Sequence, residues 1–197
     1  MNNQMNIVLA GVGGQGTLVA GKLLGNIAVK MGWDIKVSEV HGMSQRGGSV
    51  ITYVRMGNKV YSPVIEPGMA DFVLAFEELE ALRWASLLAR NGTMIINQQH
   101  IVPVTIKIGK AVYPEGIACE LKAASTPGTT IIEINAEQLA KDSGNIRCVN
   151  MVMIGAMSLS TDIPEALWQE SISEIFPEKL QEMNRIAFAK GKNSITC

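Results

Sequence analysis

Cysteine, histidine, aromatic residues and net charge are all scarce in this chain, and each shortage removes a class of protein. Cys119, Cys148 and Cys197 lie far apart with no C-x-x-C pair, so the spacing that ligates an iron–sulfur cluster is missing. An odd count without an export signal also argues against a disulfide framework. His41 and His100 are the only histidines, and neither has zinc-type spacing. Seventeen Lys+Arg face 18 Asp+Glu, a formal net charge of −1, which gives no electrostatic case for wrapping nucleic acid. The uncharged stretch 148–161 has only 14 residues, short of the ~20 that cross a bilayer. No basic segment precedes an apolar core at the N-terminus, so the expectation is a cytoplasmic protein that binds neither membrane nor nucleic acid.

What the chain has is 47% hydrophobic residues over 197 positions, enough to bury a full core in one domain spanning 1–197. Aromatics are 5% while Met numbers 11, so the packing is aliphatic and thioether.

Residues 7–10, Ile-Val-Leu-Ala, form a continuous apolar run expected for a strand buried on both faces. Gly11, Gly13 and Gly16 follow at G-x-G-x-x-G spacing, with Gly14 and Gln15 between them. A helix-compatible run then begins at Thr17, with Leu18, Leu24, Ile27 and Ala28 able to share one face. Strand, glycine turn and helix in that order aim backbone N–H groups at an anion near the helix N-terminus. The alternative is that the glycines only permit tight strand-to-helix packing. A dinucleotide reading would put Glu39, about 20 positions on, against a ribose, with His41 or Lys22 as the nearby acid or base.

A second dense polar stretch runs through Glu39, His41, Gly42, Met43, Ser44, Gln45, Arg46, Gly47, Gly48 and Ser49. It follows a strand at 34–37 and precedes an alternating one at 50–56, so in a parallel sheet it emerges at the same edge as the first glycine loop. A guanidinium fork beside Gly47 and Gly48 suits a carboxylate or phosphate, and His41, Ser44 and Gln45 add hydrogen-bonding side chains. The plainer reading is a polar surface loop whose Arg46 pairs with Glu39.

The remaining pattern predicts a hairpin turning at Gly57 and Asn58 and strands at 72–76, 93–96, 104–108 and 130–134. Helices are predicted at 77–90, 114–124, 149–159, 164–175 and 177–190, several opened by proline. Asn97 closes a strand and lines the same crevice on this reading. The helix at 149–159 is apolar on almost every side, so it is sandwiched in the core or covered by another chain. Self-association is the expectation from the second option. The fold class is α/β: a three-layer Rossmann-like domain with a largely parallel sheet, one hairpin and a helical C-terminal third.

The stretches Gly11–Gly16 and Ser38–Ser49, supported by Val60-Tyr-Ser-Pro63, Tyr113-Pro114, Asn150–Gly155 and Asn184–Gly191, resemble the gamma-type subunits of the 2-oxoacid:ferredoxin oxidoreductases. The segment Glu39-Val-His-Gly-Met43 resembles their indolepyruvate branch. The resemblance implies oxidative decarboxylation, in which an aryl-2-oxoacid, CoA and oxidised ferredoxin give an acyl-CoA, carbon dioxide and reduced ferredoxin. It further implies an alpha partner holding thiamine diphosphate and 4Fe–4S clusters, with no cofactor on this chain. The two glycine stretches would then face the partner's active site, with Arg46 offered to an anionic substrate or a CoA phosphate. A free-standing NAD enzyme and a non-catalytic assembly module remain as alternatives.

Overall fold

The computed structural model describes residues 4–42, 47–125 and 127–195. Strand β1 (Gln4–Val12) is followed by helix α1 (Thr17–Lys30), and Ile7, Val8, Leu9 and Ala10 are fully buried between two apolar layers. Strands β2 (Asp34–His41) and β3 (Ser49–Gly57) come next, then β4 (Ala70–Ala75), helix α2 (Glu78–Trp84) and β5 (Leu88–Asn97). After a single turn, α3 (Val104–Lys107), the chain adds α4 (Ile117–Ala124), β6 (Thr130–Ile134) and α5 (Ala136–Asp142). Helices α6 (Val149–Ser158), α7 (Glu165–Ile175) and α8 (Glu178–Asn193) complete it.

Among the described residues the sheet has six strands in the order β2-β3-β1-β4-β5-β6. β1 pairs in parallel with β4, β4 with β5, and β5 with β6, while β3 is antiparallel to both β1 and β2. β2 therefore runs in the same direction as β1, with β3 reversed between them. Alternate residues of β1 feed two cores. Ile7 and Leu9 pack with α1, α6 and α8, while Val8 and Ala10 pack with residues of α2 and α4, which gives the three layers.

Four expectations change. The consecutive antiparallel neighbours are β2 and β3, with the second glycine stretch lying between them in sequence, rather than strands on either side of Gly57 and Asn58. Val60 instead donates its N–H to the Asp34 carboxylate at 3.0 Å. The helix predicted over 77–90 stops at Trp84, takes one tighter turn over Ala85–Leu87, and is extended from Leu88, which pairs with Ala70. At Gly92 a Cβ would lie 2.8 Å from the Ala70 carbonyl oxygen, so close strand contact wins over helix propensity there. The strand predicted over 104–108 is a helical turn capped by Pro103, whose φ of −64° starts it; no strand of the sheet pairs with it. Helix α5 was not foreseen, although Asn135 accepts from the Gln138 N–H at 3.0 Å as an N-cap.

All ten residues of α6 are buried, packed against β4, β5, α1, α5 and α8. Its uniform apolarity belongs to the core, and the expectation of self-association through it loses its surface. No helix among the described residues is long and apolar enough to cross a membrane.

Candidate functional site

The first glycine stretch is held by its own glutamine. Gln15 accepts the Val12 N–H at 2.7 Å and donates to the Phe76 carbonyl oxygen and to Gln99 Oε1, both at 2.9 Å. Its Oε1 lies 2.8 Å from where a Cβ on Gly11 would stand, so a side chain there would displace the latch. Gly16, the N-cap of α1, has φ +82°, a conformation costly to any other residue. The Val19 and Ala20 amides donate to the Gly16 carbonyl oxygen at 3.1 and 3.2 Å, so Thr17 and Leu18 precede the first rung of the helix's ladder. Both border a cleft of about 340 Å³. Gly13, Gly14 and Gly16 border it from the turn, Glu39 and His41 from β2, and Val50 from β3.

The two glycine stretches meet. Gly13 N–H donates to the Gly48 carbonyl oxygen at 2.9 Å, and Val12 is the strand partner of Ser49. They share an edge for the expected reason, because β2 and β1 point the same way. His41 is exposed with Nδ1 3.1 Å from the Gly42 carbonyl oxygen. Glu39 is also exposed and accepts from Thr52 Oγ1 at 3.3 Å. Gly42, Gly47 and Gly48 lie between the two strands in sequence. Met43, Ser44, Gln45 and Arg46, and with them both readings of Arg46, lie outside the described residues.

Asn97 occupies a different setting from the expected crevice wall. It is fully buried, donating to the Phe76 carbonyl oxygen at 3.1 Å and to Gln99 Oε1 at 3.3 Å, and accepting the Ala136 N–H at 2.9 Å. Its amide ties β4, β5 and α5 together behind Gln15. Gln99 extends the chain of amides to Glu137 at 3.0 Å.

A second cleft, about 510 Å³, opens on the other side of Gly14 and Gly16. Its wall combines Cys148 and Asn150 at the start of α6 with Met183 and Asn184 of α8. Asn150 Nδ2 reaches the Gly16 carbonyl oxygen at 3.3 Å, which supplies the buried partner its place in an apolar helix demands. Burial pushes the Cys148 thiol up, away from a reactive thiolate. Arg147 is exposed at this cleft. Sequence reasoning did not single out Gln99, Arg147 or Asn184 as site residues; Asn184 had a signal only as the first residue of the stretch Asn184–Gly191 that supports the family resemblance.

Two glycine stretches tied together at one edge of a mostly parallel sheet, with a cleft on each side of the first glycine turn, define a Rossmann-like α/β domain. Residues 6–194 match the family Pyruvate ferredoxin/flavodoxin oxidoreductase. The chain is 42% identical over 192 residues to "Indolepyruvate oxidoreductase subunit IorB" of Thermococcus kodakarensis, covering 95% of this chain and 94% of that protein. It is 37% identical over 194 residues to the protein of the same name from Archaeoglobus fulgidus, covering 96% and 94%. The gamma subunit of keto/oxoacid ferredoxin oxidoreductase from Geobacter sulfurreducens shares its fold, with a TM-score of 0.72 at 22% identity, covering 98% of this chain and 99% of that one. The chain belongs to this family and is a subunit of a 2-oxoacid:ferredoxin oxidoreductase.

Proposed function

We propose that this chain serves the indolepyruvate branch of that activity, completing the active site or the assembly of a partner that carries the redox cofactors. The reaction is the oxidative decarboxylation of an aryl-2-oxoacid with CoA and ferredoxin. Support for the branch comes from the two IorB relatives at 37% and 42% identity. A relative named "2-oxoglutarate synthase subunit KorC" from Methanothermobacter thermautotrophicus stands at 28%.

The single observation that carries the site reading is the bond between Gly13 and Gly48, which joins both glycine stretches into one surface. On this reading that surface faces the partner's reaction centre, where Arg46 meets the carboxylate of the oxoacid or a phosphate of CoA. The wide spacing of Cys119, Cys148 and Cys197 supports placing the iron–sulfur clusters elsewhere. Cys119 is exposed on α4 and Cys148 is buried beside α6, and no group of three or more His, Cys, Asp or Glu suited to a metal occurs among the described residues. The thiamine diphosphate and 4Fe–4S clusters are assigned to the partner alpha subunit, and ferredoxin reaches the enzyme through the complex.

Reconstitution tests the reading. Purified partner with bound thiamine diphosphate should reduce ferredoxin with indolepyruvate and CoA only after this chain is added. Failure to pair or to restore turnover rejects it, and a catalytic, saturable NAD response of the isolated chain would favour a free-standing enzyme.

A further inference from the structure

Glu80 is a buried carboxylate that borders neither cleft, only 3% exposed on α2. Burying a carboxylate is costly unless its oxygens are satisfied, and here three donors converge on it. Arg83 Nε at 3.2 Å binds Oε1, and Trp84 Nε1 at 3.1 Å binds Oε2. Both come from α2 itself. The third is Ser49 Oγ, 2.5 Å from Oε2, and it alone of the three leaves the helix. Ser49 opens β3 opposite Val12, the last residue of β1. Its neighbour Gly48 accepts from Gly13, and its other neighbour Val50 borders the smaller cleft.

We infer that Glu80 is a positioning residue that acts through Ser49 to set the first glycine stretch. The carboxylate fixes Ser49, and Ser49 fixes the register in which Gly48 holds Gly13. A shift of β3 at this end moves the Gly13–Gly16 turn, the cleft and the amides at the start of α1 together. A ligand group misplaced by a fraction of an ångström loses binding without any of these residues touching it. This inference rests on the reading that the glycine stretches meet an anion in the assembled enzyme.

The test uses the reconstituted complex with Ser49→Ala, Ser49→Thr, Glu80→Gln, Glu80→Ala and, as a direct reporter of the glycine surface, Arg46→Lys. Ser49→Ala should raise KM for the oxoacid or for CoA roughly five- to twentyfold while kcat stays within about twofold. Ser49→Thr keeps the hydroxyl and should restore KM. Glu80→Gln keeps an acceptor at the Oε2 position for Ser49 and Trp84, though its amide N–H then faces the Arg83 N–H, and it should stay near the wild-type KM. Glu80→Ala removes the acceptor and should raise KM as Ser49→Ala does; an unchanged KM in Glu80→Ala overturns the role assigned to Glu80. Unchanged KM in Ser49→Ala, with altered kinetics in Arg46→Lys, overturns the positioning role and leaves the glycine-surface reading standing. Unchanged kinetics in both overturns that reading and the inference with it. A lowered Tm in Ser49→Ala with no change of KM marks a structural serine and also overturns the inference.

Discussion

Gly155 of α6 and Gly191 of α8 each press against the other helix's backbone. A Cβ on Gly155 would lie 2.0 Å from the Phe188 carbonyl oxygen, and one on Gly191 would lie 1.9 Å from that of Val152. Neither neighbour is a side-chain end that can swing aside. The reciprocal contact lets the two helices approach closely, and their crossing sets where Asn150 and Asn184 stand in the larger cleft.

Gly155→Ala and Gly191→Ala should therefore each cost at least about 2 kcal/mol, lowering Tm by roughly 4–8 °C for a chain of this size. Gly25 in α1 is the contrasting case, because its added Cβ meets only Ile35 Cδ1 at 3.9 Å. Gly25→Ala should stabilise by about 0.5–1 kcal/mol through helix propensity and a less free unfolded chain. Thermal melts of the three variants check the contrast.

Asp71 accepts the Asn6 N–H at 2.7 Å, and burial raises its carboxyl above the ordinary 3.8, the hydrogen bond only partly offsetting this. A raised folded-state value means its stabilising contribution is complete below the unfolded value and is lost as pH rises through the folded one. At neutral pH the ionised group carries the burial cost. Asp71→Asn, which keeps an acceptor for Asn6, should be more stable than wild type at pH 7. That advantage should shrink as pH falls through the raised folded-state value and be gone below about pH 4, measured by urea unfolding across the acid range.

Glu77 holds both ends of the segment that leaves β5. Its Oε1 accepts the Ile101 N–H at 3.1 Å and the Tyr113 hydroxyl, while Oε2 accepts the Glu80 N–H at 3.0 Å. The Tyr113 oxygen in turn accepts the Leu79 N–H at 3.2 Å. Tyr113→Phe removes a bond to a buried carboxylate and leaves that N–H without its acceptor, so the expected loss is about 1.5–3 kcal/mol. Limited proteolysis should then cut faster between residues 102 and 112, where Val104 and Val112 are 69% and 90% exposed. Burial and the Glu77 hydrogen bond push the Tyr113 phenol up, so its contribution is full below about pH 10 and is lost only at stronger alkalinity.

The glycine stretches, β1, α1, β6 and the last three helices were legible because each carries its own local signal, an apolar run or a proline at a helix start. Residues 104–108 misled through their β-branched side chains, which suit a strand only where a neighbouring strand exists. Asn135 and Gln138 did carry a cap signal for α5. The larger cleft was illegible for a different reason. Gln99, Arg147 and Asn184 are single polar residues on separate elements, and only the packing of α6 and α8 beside the glycine turn brings them together.

Arg46 gives the sharpest test of the glycine surface. Gly47 and Gly48 follow it immediately, leaving room for a ligand or a partner backbone, and its fork holds a carboxylate or phosphate in a way lysine does not reproduce. If it binds an anion in the assembled enzyme, Arg46→Lys keeps the fold and the complex but weakens turnover. A charge-assisted bond is worth about 1.5–3 kcal/mol, or roughly tenfold to a hundredfold in kcat/KM. A surface ion pair with Glu39 would instead keep the loss below about 1 kcal/mol. Steady-state kinetics of the reconstituted complex, varying oxoacid and CoA separately, decide between them. A rise in KM for one substrate identifies the anion that Arg46 meets, and unchanged kinetics for both reject the binding role.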